Sequence, residues 1–249
     1  ENGTMSVIDG TVDEVAATVT VGISPAGGVY NPADKKVYVL NDHDISIVDG
    51  ASNETVGTIA VNDAASTSKL VKATINPAGS KIYAVCGSDL QVIDVAARKP
   101  VTKLTLGAWM TFPFNVAYDG LHNKVYVSIV LGKTITVINA VTDTVLKTIP
   151  YETAYVNVDL ACSSTSGRLY AAEYIIDTAT DTIVGKQKNL SARSVTHDRD
   201  GNKLYAMSDD LLVINTLTGK MENVVKIKNP YLAVVNPNGK KLFVLEEGF

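Results

Sequence analysis

Two groups of residues in this 249-residue chain have side chains suited to chemistry. The first is aromatic. The single tryptophan, Trp109, stands in "GAWMTFPF" with Phe112 and Phe114, and the segments "PYETAY", "NLSARS" and "KNPYL" add Tyr155, Arg193 and Tyr231. Trp, Tyr and Arg recur in recognition sites because they offer a large contact area with a polar tip. Such a gathering would bind a ligand; it has no nucleophile or base. The alternative for Trp109, Phe112 and Phe114 is to plug a channel or fill a wedge between elements. The second group is polar: Lys72, Asn115 and Asp159 occupy one recurring position, shared with Gly27, Ser194 and Leu232. One carboxylate and one amide make a sparse oxygen set for a divalent cation. The bland reading of this column is a solvated lining.

Other chemistries lack their residues. His43, His122 and His197 fall at unlike places in the pattern below, so they are not expected to converge. There is no Ser/His/Asp set, GxSxG, P-loop or dinucleotide fingerprint. "NDHD" at 41–44 has metal-capable atoms, without the carboxylate spacing of a calcium loop, and reads as a polar turn. Further acidic positions at equivalent turns, among them Asp89, Glu173, Asp209 and Asp210, would make one face negative. Cys86 and Cys162 are two, without CxxC or zinc spacing, and are expected to be buried free thiols.

What must position these groups is a repeat. A basic residue, an aliphatic, an aromatic and a small aliphatic recur as Lys36-Val37-Tyr38-Val39, Lys81-Ile82-Tyr83-Ala84, Lys124-Val125-Tyr126-Val127, Arg168-Leu169-Tyr170-Ala171, Lys203-Leu204-Tyr205-Ala206 and Lys241-Leu242-Phe243-Val244. The aromatic steps along the chain by 45, 43, 44, 35 and 38 residues. Two aliphatics and an Asx follow each time, as in Ile47-Val48-Asp49 and Val137-Ile138-Asn139, and first as Val7-Ile8-Asp9. Each unit holds four runs rich in Val, Ile, Thr and Tyr, punctuated by "NPAG", "ATDT" and "LTG". Four antiparallel strands, A to D, at a period near 40 residues mark a β-propeller blade. The first copy begins at strand C and the last ends after strand B. Residues 240–249 followed by 1–10 would form one more unit. The expected fold is therefore all-β: a single domain over 1–249, a six-bladed propeller whose last blade takes A and B from the C-terminal end and C and D from the N-terminal end.

Composition fits this. The chain is 46% hydrophobic and 19% charged, with net charge −4. That balance gives no electrostatic reason for a nucleic-acid partner. No run approaches the about 18 apolar residues of a membrane span.

The units resemble the YVTN family of β-propeller repeats of surface-layer and periplasmic proteins. The resemblance rests on Tyr38-Val39-Leu40-Asn41, "INAVTDTVLKTIP" and "IDTATDTIVG", and its repetition covers essentially the whole chain. It departs in blade number, which in the family is more often seven. It implies an extracytoplasmic location, in the periplasm or at the cell surface, with any signal peptide removed. For function it implies a non-enzymatic binding or surface-interaction module, with a small molecule or a protein as partner on the loop face. Two alternatives stay open: a lactonase-like hydrolase using the axial polar column, and a structural surface-layer module. No cofactor is predicted; a divalent cation in the channel is what the column leaves open.

Overall fold

The computed structural model describes residues 3–12, 14–62, 68–108, 111–152, 158–187, 194–198, 202–228, 230–235 and 241–246, with the side chains of 231, 232, 234, 245 and 246 excepted. Every element is a strand, and no helix occurs among the described residues. Five sheets have four antiparallel strands in sequence order: β3 to β6 (Gly27–Asn31, Lys36–Leu40, Asp44–Asp49, Glu54–Ala60), β7 to β10 (Leu70–Ile75, Lys81–Cys86, Asp89–Asp94, Lys99–Thr105), β11 to β14 (Phe112–Asp119, Lys124–Val130, Thr134–Asn139, Thr144–Pro150), β15 to β18 (Leu160–Ser163, Arg168–Ala171, Tyr174–Asp177, Thr182–Lys186) and β19 to β22 (Ser194–His197, Lys203–Met207, Leu211–Asn215, Met221–Val225). Two more are half-sheets: β1 (Thr4–Asp9) with β2 (Glu14–Thr20), and β23 (Pro230–Val235) with β24 (Leu242–Glu246). The architecture is propeller-like. Residues 1–116 and 117–249 form two compact units.

The two recurring signatures are the second and third strands. The Asx that ends each third strand builds the next turn. Asp49 accepts the N–H groups of Ala51 and Ser52, Asn139 those of Val141 and Thr142, and Asn215 those of Leu217 and Thr218. Asp9, Asp94 and Asp177 do the same with Thr11, Ala97 and Thr180. Four residues after the Asx the backbone turns left-handed, at Asn53, Arg98, Asp143, Asp181 and Gly219. A register shift beside the turn then starts the fourth strand, as between Ile47 and Val48 or Ile175 and Ile176. One capped, bulged hairpin is thus used throughout.

Within each unit, consecutive sheets pack face to face, which is why second and third strands carry apolar residues on both faces. In the first unit Tyr38, Leu40, Ile45 and Ile47 meet Leu70, Ile82, Ala84 and Ile93 of the next sheet. In the second, Tyr126, Ile135 and Val137 meet Leu160, Leu169 and Ile176, and Tyr170 and Ile175 meet Val195, Leu204 and Ile214.

Polar groups stitch the same faces together. The Tyr126 hydroxyl donates to Asp181 Oδ1 at 2.6 Å, and Lys124 Nζ donates to both carboxylate oxygens at 2.9 Å and to the Thr178 carbonyl at 2.7 Å. Lys147 reaches the Asp181 carbonyl from the fourth strand. One sheet later, Arg168 and the Tyr170 hydroxyl both donate to the Thr216 carbonyl, at 3.1 and 3.0 Å. The basic residue and the aromatic of the repeat therefore hold the capped turn of the following sheet. Burial, with the Asp181 carboxylate alongside, pushes the Tyr126 phenol far above its ordinary range. Tyr38 differs, since its hydroxyl donates to Asp34 of its own sheet.

The half-sheets are each covered on one side. Met5 and Val7 pack with Val19, Val21, Val37, Val39 and Val48, while Leu242 and Val244 pack with Met207 and Leu211. Ile8 is 64% exposed, although its counterparts Val48, Ile93, Ile138, Ile176 and Ile214 are buried. Phe243 is 56% exposed, whereas Tyr38, Tyr83, Tyr126 and Tyr170 are buried, and Tyr30 on β3 is also 56% exposed.

Two predictions follow from the turns and the stitching. Asp181→Ala leaves the mostly buried Lys124 cation without its partner and should cost about 3 kcal/mol in denaturant unfolding. Tyr126→Phe should cost about 1.5–3 kcal/mol, the range for a hydrogen bond to a charged group, and much less in the Asp181→Asn background. The second concerns acid. Hydrogen bonds to Asp9 (the Thr11 hydroxyl, then its N–H), Asp49 (the Ser52 and Ala51 N–H groups) and Asp177 (the Thr180 N–H, then its hydroxyl) hold these carboxyls below the usual aspartate range. Their folded-state values are depressed, so the stability they contribute is present above pH about 4 and is lost as pH falls below it. Replacing all three by Asn, the residue that caps at 139 and 215, should leave the neutral-pH melting temperature nearly unchanged and flatten its decline in acid.

Candidate functional site

In each sheet the first-to-second and third-to-fourth turns lie at one end. The other end carries the second-to-third hairpins and the segments leading from one sheet to the next. The turn end is occupied by the stitching above and by turn-to-turn bonds: Asn31 Nδ2 donates to the Gly79 carbonyl, and the Gly120 N–H to Ser164 Oγ. Irregular segments on a rigid scaffold are the usual place for binding, which directs attention to the opposite, loop end.

Trp109, Tyr155 and Arg193 lie outside the described residues. Tyr231 is in β23, without a described side chain. Phe112 opens β11 and is 45% exposed, Phe114 is half-buried, and Lys72 on β7 is exposed. Asn115 is buried. Asp159, in the second unit, is half-buried, and its Oδ2 accepts the N–H of Val195 at 2.9 Å. A carboxylate expected to line a channel thus joins β19 to the segment entering β15. Its partner lies 36 residues away, which no local pattern reveals. Tyr151 belongs to the core: it packs on Tyr174 with ring centroids 5.8 Å apart, and burial pushes its phenol up to about 12.

The acidic hairpin tips differ from the expectation of a negative face. Asp42 pairs with Lys69 at 2.8 Å, Asp89 with Lys103 at 3.7 Å, Glu173 with Lys186 at 3.0 Å and Asp210 with Lys226 at 2.6 Å. Each lysine comes from the fourth strand of the same sheet or from the segment beyond it, so these four carboxylates are locally neutralised. Lys186 also stands 4.4 Å above the Tyr174 ring. These exposed pairs fix local conformation and contribute little stability. "NDHD" is a locked hairpin. Asn41 Nδ2 donates to Asp44 Oδ1 and Ser46 Oγ, and the His43 carbonyl accepts the N–H groups of Val61 and Asn62. Among the described residues no group of three or more His, Cys, Asp or Glu side chains is placed to hold a metal ion.

One arrangement resembles hydrolase machinery and was not anticipated. At the turn end of the second unit the buried Asp119 carboxylate lies 2.7 Å from His122 Nδ1, and Thr178 Oγ1 lies 3.1 Å from the same nitrogen. A working triad sets carboxylate and hydroxyl on opposite ring nitrogens, so that the imidazole can take the hydroxyl proton while the acid orients it. Here both partners share Nδ1. The geometry ties the 119–123 turn to the 177–181 turn and does not activate Thr178. The only sequence signal was an Asp three residues before a His within a turn.

Among the comparisons with known proteins, no family model matches this chain and no curated protein matches it. Among solved structures, hydrazine synthase of Kuenenia stuttgartiensis is similar, with a TM-score of 0.68 and 16% identity over 89% of this chain and 73% of that one. At that identity the likeness concerns the fold alone. No helix among the described residues is long and apolar enough to cross a membrane.

Cys86 and Cys162 are buried and unbridged. Burial raises both thiols above their ordinary range, and Asn62 Nδ2 lies against the Cys86 sulfur. Native protein should therefore not react with a thiol reagent over minutes at pH 8, and should release two equivalents in denaturant. Fast reaction of either in the native state would contradict the packing.

Proposed function

We propose that this chain is a non-enzymatic binding or interaction module of the YVTN-repeat type, recognising a small molecule or a protein with its loop end. The observation that carries the reading is the division of labour between the two ends of the sheets. The turn end is taken up by sheet-to-sheet bonds such as Lys124 and Tyr126 to Asp181, whereas the loop end holds the variable segments and the exposed Phe112. Trp109, Phe114, Tyr155, Arg193 and Tyr231 would supply contact area there, with Lys72, Asn115 and Asp159 further along the first strands. The extracytoplasmic placement rests on the repeat resemblance.

The same reading takes the sheets as a ring of six blades, the sixth made of β23–β24 and β1–β2.

Because Trp109 is the only tryptophan, its fluorescence reports on the loop end directly. It should be quenched readily by acrylamide, and Trp109→Ala should leave the melting temperature within a degree or two of the parent. A shielded Trp109, or an unfolded variant, would assign it to the core and remove it from the site. Lactone hydrolysis abolished by a chelator would instead establish the hydrolase alternative.

A further inference from the structure

We propose that the outer edge of β22 pairs antiparallel with β22 of a second copy of this chain, giving a two-fold dimer. In each complete sheet the fourth strand is the outer one, paired on one side only among the described strands. Such an edge offers its N–H and C=O groups to any matching strand, and lysine, proline or an interruption of the strand is what blunts it. β10 carries Lys99, Pro100 and Lys103, β14 carries Lys147 and Pro150, and β18 carries Gly185 and Lys186. β6 has Gly57, and of its larger aliphatics only Val56 is exposed. β22 reads Met-Glu-Asn-Val-Val, without lysine, proline or glycine, and Met221, Val224 and Val225 are all exposed. Its register shift lies at the start, opposite Val213 and Ile214, so Asn223, Val224 and Val225 pair regularly with β21.

The occupant follows from charge. With a two-fold axis at Val224, each Val224 meets its counterpart, Asn223 meets Val225, and Glu222 meets Lys226, the last two pairs occurring twice. Opposite charges facing across a ladder favour it, and like charges oppose it. Moving the axis to lie between Asn223 and Val224 would set Glu222 against Val225 and Lys226 against Met221. An in-register parallel pair would set Glu222 against Glu222. Charge therefore selects both the direction and the register. Both groups are accessible. Glu222 accepts from Asn215 Nδ2 at 2.8 Å and lies 3.9 Å from Lys203, and Lys226 pairs with Asp210, yet both side chains remain exposed. The Val224 N–H donates to its neighbour Asn223 Oδ1 at 2.9 Å, a local bond that a carbonyl of the second copy would replace. The same edge serves both copies, so assembly closes at two. A contact of five residues a side is small, so the dimer is reversible and forms with rising concentration.

Val224→Cys tests the register. On the axis its two Cα atoms lie about 4.5–5.5 Å apart, within disulfide reach. Met221→Cys is the control, since its two copies stand six residues out of step, ~20 Å apart. Oxidised in the native state, where Cys86 and Cys162 are buried, Val224→Cys should give a disulfide-linked dimer and Met221→Cys should not. Cross-linking of both alike, of neither, or of Met221→Cys alone would overturn the pairing. Sedimentation of the unsubstituted chain gives an independent reading. It should show a reversible dimer that Glu222→Lys weakens about tenfold, because two attractive pairs become repulsive. Mixing the Glu222→Lys and Lys226→Glu proteins should restore dimer, as each carboxylate of one then faces an ammonium of the other. A chain monomeric at every concentration, or a dimer indifferent to these variants, would contradict the proposal.

Discussion

A sheet buried on both faces must still satisfy the polar ends of its strands, and here that requirement is met by the neighbouring sheet. Lys124 and Tyr126 reach from one sheet to Asp181 and Thr178 of the next, and Arg168 and Tyr170 reach to Thr216. The turn they hold is made rigid first by its own Asx cap. A capped turn presents its carbonyls and, at Asp181, its carboxylate at a fixed place, so the incoming cation and phenol lose little further freedom. The bonds between sheets therefore depend on the bonds within the turn. The left-handed residue four positions after the Asx is what points Asp181 at its partners.

Much of this could be read from the sequence, for definite reasons. The second and third strands were legible because aliphatic residues on both faces, with a cation before and an Asx after, recur six times. The turns were legible because Asx, Gly and Thr bond locally. What the cation and the tyrosine do was not legible, since Asp181 lies 57 residues beyond Lys124 and 55 beyond Tyr126. The bond from the Val195 N–H to Asp159 was not legible for the same reason, since Val195 belongs to the next sheet. The acidic hairpin tips looked like a field because Asp89, Glu173 and Asp210 were visible as a set. The lysines that neutralise them sit at unequal distances along the chain, so their pairing carries no periodic signal.

The same physics bears on function. Atoms that hold sheets together are fully engaged and make poor catalysts. His122 shows this: a buried carboxylate and a hydroxyl surround it, yet both meet one ring nitrogen, and the group serves as a joint. Where the repeat loses its regularity, Asp159 and Tyr151, in segments that lead from sheet to sheet, still serve the frame, and the binding role proposed for Phe112 rests on its exposure.

Native-state hydrogen exchange on Asp181→Asn tests this account most directly. The account predicts faster exchange concentrated in β12, β17, β18 and the turn at 177–182, with the hairpin tips at the loop end as protected as in the parent. Uniform loss of protection across the chain, or loss confined to the loop end, would contradict the claim that this turn is where one sheet holds the next.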